Sequence, residues 1–169
     1  MKRIWESCEP RPEVLTGDLK EESFAARLGQ VVEGKADAVY GDPEVFFGRT
    51  YPTTGLQTLL REALGRLSGR DPTGAPVLRL ETGFGGGKTH NLIALYHAAS
   101  GRTPTHILQR FVEPDFIPTT GCRIAAIVGE DLDPANGVHH PDGVTTFTPW
   151  GEIAYQLGGR DAYRRFYRN

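Results

Sequence analysis

The sequence predicts an α/β fold, a three-layer sandwich around a mainly parallel sheet, and three observations support this prediction. A short, mainly apolar stretch, 76–80, is typical of a strand and precedes a glycine-rich loop, and the stretch 88–99 after the loop has the composition of a buried helix. A second apolar run, 123–128, suits an interior strand. Strand, helix and strand in this order predict a right-handed crossover between parallel strands.

The glycine-rich loop has the composition of a P-loop, or Walker A motif. Its residues and the start of the following helix are Gly83, Phe84, Gly85, Gly86, Gly87, Lys88, Thr89 and His90. Glycines reach positive φ and carry no side chain, so successive N–H groups can curl around nucleotide phosphates. Lys88 is placed to reach the β and γ phosphates, and the Thr89 hydroxyl is placed to bind Mg²⁺. For His90, two interpretations are equally supported: contact with the nucleotide and packing in the core.

One position departs from the usual spacing of this loop. The first glycine of G-x-x-x-x-G-K-T falls on Thr82, and the glycine stands at Gly83 instead. Position 82 lies where the strand turns into the loop and needs a tight turn more than a phosphate contact. We therefore expect the phosphate cradle to be retained.

The residues around the loop resemble a known family. The matching stretches are 46–47, 50–53, 80–90, 92–97, 142–144 and 150–159. They are similar to large predicted AAA+-type ATPases of bacteria and archaea that are encoded beside DNA methyltransferases in restriction and phage-defence loci. Members of that family also carry the threonine at the first glycine position. They are several times longer, so this chain resembles an N-terminal piece of such a protein.

This resemblance implies a function and a set of partners. It implies binding of ATP with Mg²⁺, with Lys88 and Thr89 as catalytic residues, and ATP hydrolysis that drives conformational work in the complete protein. The candidate partners are nucleotide, DNA or a DNA methyltransferase, and further copies of the chain. The domain boundaries that follow are a helical N-terminal extension, 1–73, and the N-terminal part of an ATPase core, 74–169.

Local patterns predict the remaining elements. Residues 1–17 are expected to be an extended lead, 18–34 an amphipathic helix, and 54–67 a capped helix whose leucines dock on the sheet. Asp42 and Pro43 open a turn or short helix that presents Phe46 and Phe47. The stretch 107–111 suggests a helical turn. The stretch 150–167 is expected to be helical, with a break at 158–159.

Glu130 and Asp131 follow the second apolar run and are candidates for the acids that hold Mg²⁺ and activate water. We favour a turn or capping role for them. In the architecture that the resemblance implies, the acidic pair lies on a further core strand, and we expect that strand and the arginine finger beyond residue 169. The chain alone is therefore expected to hydrolyse ATP poorly.

Two other groups have a functional and a plain interpretation. His139, His140 and Asp142 have metal-binding side chains, but in a loop with Pro and Gly we favour solvated residues. The C-terminal stretch interleaves arginines with aromatics: Arg160, Tyr163, Arg164, Arg165, Phe166, Tyr167 and Arg168. It matches a nucleic-acid surface, and we favour a helix whose aromatic face is buried and whose arginine face is wet.

Bulk composition excludes several classes of protein. The chain has 169 residues, 38% of them hydrophobic, which suits one globular core. A net charge of -2 gives no global attraction to nucleic acid. Cys8 and Cys122 suggest neither a disulfide framework nor a zinc site. No signal peptide or apolar window long enough for a membrane span is present in the sequence, so we expect no membrane contact and a cytoplasmic location.

Two alternative functions share the phosphate loop. A small-molecule phosphotransferase, such as a kinase, also needs an acceptor pocket and a lid, and no arginine-rich lid follows the second apolar run. A non-catalytic interaction module uses a bound nucleotide only to stabilise its fold. Phosphorylated acceptors distinguish the first from an ATPase, and single-turnover phosphate release distinguishes the second.

Overall fold

A computed structural model describes residues 3–10, 12–17, 25–81, 83 and 85–167. It is 50% helix and 3% strand. The strands in these ranges are β1 (Val138–His139) and β2 (Thr145–Thr146), which pair antiparallel with Val138 opposite Thr146. The fold is thus mostly helical with one small hairpin, and the prediction of an α/β sandwich with a parallel sheet is wrong.

The two apolar runs that predicted core strands pair with no strand in the described part of the chain. In 76–80, Leu78 is half-buried while Val77 is 79% exposed. In 123–128, the backbone of Ala126 bonds to the side chain of Gln156. An apolar run indicates that side chains are shielded from water, but a strand in a sheet also requires a neighbouring backbone that pairs with it by hydrogen bonds. The predicted crossover is wrong for the same reason.

Nine α-helices are present in the described ranges. They are α1 (Ile4–Ser7), α2 (Pro12–Thr16), α3 (Leu28–Val32), α4 (Ala38–Gly41), α5 (Pro43–Gly48), α6 (Thr54–Leu67), α7 (Lys88–Ala99), α8 (Thr105–Leu108) and α9 (Pro149–Phe166). Two 3₁₀ turns, Pro114–Phe116 and Gly129–Asp131, are also present in these ranges. The predicted bounds of α6 and α7 are confirmed, and the turn expected over 107–111 is α8, which starts two residues earlier.

The N-terminal part differs from its prediction. Helices α1 and α2 lie where an extended lead was expected. Of the predicted helix 18–34, residues 18–24 lie outside the described residues, and 25–27 are not helical. Arg27 precedes α3 in an extended conformation, and Gly34 follows it with a φ of 69°. Of the predicted amphipathic helix, the described residues therefore retain only the short helix α3, because the chain is extended before Leu28 and left-handed at Gly34.

Helices α6 and α7 form the centre of the core. Thr53 caps α6 by accepting a hydrogen bond from the Leu56 N–H, which satisfies one of the free donors of the first turn. The core side chains of the two helices are Leu56, Leu59, Leu60, Leu64, Ile93, Ala94, Ala98 and Ala99. Helix α6 packs on α7 and on the turn Pro114–Phe116. The prediction that α6 docks on a sheet is wrong, because α7 takes that place.

Helix α5 covers one side of this core. Asp42 caps α5 by accepting hydrogen bonds from the N–H groups of Glu44 and Val45. The helix presents Phe46 and Phe47, which are both buried, as the sequence predicted. Their rings lie edge to face at 5.4 Å, a favourable geometry for aromatic pairs. Helix α5 therefore closes the core against α7 and α8.

Helix α9 has the predicted break. Gly158 has φ -149° and ψ 15°, and Gly159 has φ 66° and ψ -162°, both outside the helical region. After the break, the Tyr163 hydroxyl donates a hydrogen bond to the Thr145 carbonyl of the hairpin. The kink thus folds the end of α9 towards β2. Within the described residues, no helix has the length and apolar character that a membrane crossing requires.

Candidate functional site

The glycine loop leads directly into the N-terminus of α7. Gly85 and Gly87 have φ values of 78° and 74°, in the left-handed region, and Gly87 is the N-cap of α7. A Cβ at Gly83, Gly85 or Gly87 would meet no atom within 4 Å. Glycine is therefore needed at 85 and 87 for the backbone conformation and not for space. Thr82 and Phe84 lie outside the described residues.

The first turn of α7 is arranged to receive an anion. Its N-cap is a glycine, which has no side chain to cap the N–H groups of this turn. The N–H groups of a helix start and the helix dipole together favour negative charge. Lys88 adds a cation, and its Nζ donates a hydrogen bond to the Gly83 carbonyl at 3.2 Å. Lys88 and the loop backbone are thus held within one short turn.

Thr89 lines a cavity of about 780 Å³ next to this turn. The opposite walls are the start of α3, at Leu28 and Gly29, and the segment 127–131. Glu130 and Asp131 therefore share a cavity with Thr89, although 41 positions separate Thr89 from Glu130 (130 minus 89). The turn that was predicted for these two residues is confirmed as the 3₁₀ turn Gly129–Asp131, and its place beside Thr89 was missed.

His90 packs behind the loop. Its Nε2 lies 3.0 Å from the Thr50 hydroxyl, and its ring lies 4.5 Å from the Phe46 ring. Burial lowers the pKa of His90, so the neutral ring is the form present near neutral pH. The structure packs the half-buried His90 ring against Phe46 at the edge of the core, and its contact with a nucleotide stays a prediction.

His97, on the same helix, is a buried residue that sequence reasoning did not single out. Its Nε2 lies 2.7 Å from the Tyr40 carbonyl and donates to it, while Nδ1 has no hydrogen-bond partner among the described residues. Burial is the main cause that lowers the pKa of His97, and the bond to Tyr40 opposes it. The ring ties α7 to α4 as a neutral group.

A second polar cluster joins the hairpin to α9. The buried Glu152 carboxylate accepts hydrogen bonds from His140 Nε2 at 3.0 Å, from Gln156 Nε2 at 2.7 Å and from the Thr146 hydroxyl. Burial alone would raise the pKa of Glu152, but these hydrogen bonds lower it below its ordinary value. Glu152 is therefore a buried, fully bonded carboxylate.

The residues of the predicted solvated loop have different environments. The prediction that His140 is solvated is wrong, because its ring stacks on Tyr155 with 3.6 Å between ring centres and forms a hydrogen bond with Glu152. His139 is exposed, and Asp142 pairs with Arg160 at 3.4 Å. In the described ranges no group of three or more His, Cys, Asp or Glu side chains is arranged to hold a metal ion.

The C-terminal arginines and aromatics follow their prediction in part. Arg164 and Arg165 are exposed, which confirms the wet face. Phe166 and Tyr167 are 50% and 48% exposed, so the predicted buried aromatic face is wrong for them. The break at 158–159 redirects this end of α9, which leaves Tyr163 as the aromatic that contacts the hairpin backbone. Arg168 lies outside the described residues.

Fold and site together define a helical domain that presents a glycine loop at the start of a core helix. The family described as the DUF499 N-terminal domain matches residues 5–167. The chain therefore belongs to the DUF499 N-terminal domain family. A comparison with curated proteins and with solved structures found no match for it.

Proposed function

We propose that the chain binds Mg-ATP through the glycine loop and the first turn of α7. One observation supports this proposal above the others. Two left-handed glycines, Gly85 and Gly87, lead into a helix start whose N-cap is a glycine without a side chain, and Lys88 bends back onto the loop. Backbone donors, a helix dipole and one ammonium group thus converge on one small volume, as phosphate recognition requires.

Each residue has a role in the proposed complex. The N–H groups of the loop, from Gly83 to Gly87, bind the phosphates, and Lys88 neutralises the charge of the β and γ phosphates. Thr89 binds Mg²⁺ through its hydroxyl, which assigns the cavity that Thr89 lines to the metal side of the nucleotide. The opposite wall carries Glu130 and Asp131. Carboxylates near that metal are the groups to test in hydrolysis.

The biological setting of the proposal comes from the resemblance of the sequence. The stretches around the loop resemble AAA+-type ATPases of DNA-modification and phage-defence systems, and membership of the DUF499 N-terminal domain family is compatible with this resemblance. We therefore propose that ATP hydrolysis drives conformational work in such a system. DNA, a DNA methyltransferase and further copies of the chain are the partners to test.

Calorimetric titration with Mg-ATP and Mg-GTP tests the binding step. We expect the wild-type chain to bind, and Lys88→Ala to lower the affinity by about 1.5–3 kcal/mol, the usual contribution of a charged hydrogen bond, which corresponds to tenfold or more. Lys35→Ala is the matched control, since Lys35 is an exposed lysine paired with Glu33. Equal affinities of the wild type and Lys88→Ala would reject the assignment of the loop.

Single-turnover phosphate release tests the hydrolysis step separately. We expect slow release by this chain, as the sequence predicts. Fast release that is lost in Glu130→Gln or Asp131→Asn would assign the catalytic acid to the turn Gly129–Asp131. Binding without any release would retain the nucleotide site and reject hydrolysis by the chain alone.

A further inference from the structure

In the segment 123–131, the backbone of Ala126 forms hydrogen bonds with a side chain. The N–H of Ala126 donates to Gln156 Oε1 at 2.8 Å, and the Ala126 carbonyl accepts from Gln156 Nε2 at 3.2 Å. A primary amide thus bonds to both backbone groups of one residue, in the way that a neighbouring strand would. Gln156 therefore fixes the position of the chain at Ala126.

Gln156 is itself held in one orientation. Its Nε2 also donates to Glu152 at 2.7 Å, and that carboxylate is anchored by His140 and Thr146 of the hairpin. A carboxylate accepts hydrogen bonds and cannot donate them, so it determines which end of the amide faces it. The amide oxygen is then left to face the Ala126 N–H.

The wall of the Thr89 cavity begins one residue after Ala126. Ile127, Val128 and the turn Gly129–Asp131 all line it. At the far end the Asp131 carboxylate lies against Gly29 of α3, so close that a Cβ at that glycine would require the carboxylate to move. The wall is therefore bonded to α9 at one end and rests on α3 at the other.

We infer that Gln156 is a positioning residue for the metal side of the nucleotide site. This inference rests on the proposed function, because Thr89 is the proposed Mg²⁺ ligand. Gln156 holds 127–131 opposite Thr89, so its loss moves that wall and leaves the glycine loop in place. It changes the part of nucleotide binding that depends on Mg²⁺, and not the part that the loop supplies without the metal.

The test replaces Gln156 by methionine, which has a similar length and no amide. ATP affinity is measured by calorimetry with Mg²⁺ and with EDTA. We expect Gln156→Met to lower the affinity with Mg²⁺ by about tenfold, as the loss of its two hydrogen bonds to the Ala126 backbone implies. The affinity in EDTA is expected to stay within about twofold of the wild type, a change smaller than the contribution of one hydrogen bond. Gln109→Met is the matched control, because Gln109 is exposed after α8.

Amide hydrogen exchange gives a second measurement that needs no nucleotide. The N–H groups of 127–131 are expected to exchange faster in Gln156→Met than in the wild type, while those of α6 stay unchanged. If Gln156→Met does not melt cooperatively, Glu152→Gln replaces it. That variant keeps Gln156 and removes the charged acceptor that orients it, so the same amides are expected to lose part of their protection.

The outcomes separate this inference from the proposed function. Unchanged exchange of 127–131 overturns the positioning role, whether or not the chain binds nucleotide. Faster exchange with an equal loss of affinity in Mg²⁺ and in EDTA overturns the link to the metal side. A wild-type chain that binds no ATP rejects the proposed function and with it the link to Mg²⁺, and the exchange data then decide the role of Gln156 alone.

Discussion

The Thr50 hydroxyl determines the tautomer of His90. This hydroxyl carries one hydrogen, which it donates to the Phe46 carbonyl at 2.7 Å. The contact of 3.0 Å with His90 Nε2 is therefore a bond in which Nε2–H donates and the hydroxyl accepts. In its neutral form, which burial favours, His90 thus carries its hydrogen on Nε2 and the lone pair on Nδ1. One hydroxyl joins the end of α5 to the first turn of α7.

Thr50→Val is expected to destabilise the fold by about 1–3 kcal/mol, because it leaves the His90 N–H without its acceptor and removes one of the two hydrogen bonds that the Phe46 carbonyl accepts. Thr50→Ser keeps the hydroxyl and serves as the control, with a smaller loss. Urea denaturation of both variants measures the difference. Equal stability of the valine and serine variants would show that the bond contributes nothing.

At the scale of elements, the loop and α7 act as one unit. Gly87 ends the loop in a left-handed conformation and caps the helix at the same time. A Cβ there has free space, so a substitution changes the backbone energy without a clash. The conformation of a single residue thus sets the angle at which the loop enters the helix.

Gly87→Ala is expected to destabilise the chain by about 1–2 kcal/mol, the cost of a left-handed conformation for an L-residue. Gly55→Ala is the matched control. Gly55 also has free space for a Cβ, but it lies in the first turn of α6 with a normal φ. There alanine is expected to stabilise by up to about 1 kcal/mol. Thermal melts compare the two, and effects of the same sign would contradict this argument.

The sequence predicts the two long core helices α6 and α7 well and the strands badly. The limits of α6 and α7 follow from the cap at Thr53 and from Gly69 and Gly101, which are both left-handed in the structure. Such signals act over a few residues and can be read locally. The runs 76–80 and 123–128 carry only a burial signal, and whether a backbone pairs depends on residues far away in the chain.

The candidate site shows the same limit. The glycines and Lys88 are adjacent in sequence, so their motif could be recognised. Asp131 and Gln156 reach the Thr89 cavity and its wall from separate elements, and Gln156 lies 30 positions after its partner Ala126. Neither spacing nor composition indicates such a contact. A residue that acts through another residue's backbone leaves no motif.

At the scale of the whole molecule, the half-buried His90 and the buried His97 and Glu152 make stability depend on pH. Burial lowers the pKa of His90 and of His97 below the ordinary 6.5. Burial would raise the pKa of Glu152, yet its hydrogen bonds lower it below the ordinary 4.5. In each case the unfolded chain binds a proton more readily than the folded chain. Stability therefore increases with pH across both ranges.

We expect the free energy of unfolding to fall in two steps on acidification, the first below about pH 6.5 from the histidines and the second below about pH 4.5 from Glu152. Urea denaturation at a series of pH values measures both steps. His97→Gln should flatten the first step and Glu152→Gln the second, whereas His106→Gln, at an exposed site, is the control. A free energy that stays constant between about pH 7.5 and 5.5 would contradict the burial of the histidines.

The hydrogen bond between Lys88 and Gly83 makes ligand binding an exchange. Under the proposed function, an incoming phosphate competes with a neutral carbonyl for the same ammonium group. The charged acceptor forms the stronger bond, so the exchange favours the nucleotide. The advantage of the phosphate over the carbonyl is electrostatic, and at an exposed site dissolved ions screen this attraction. Nucleotide affinity should thus decline as ionic strength increases, and the decline should be shallower once residue 88 carries no charge.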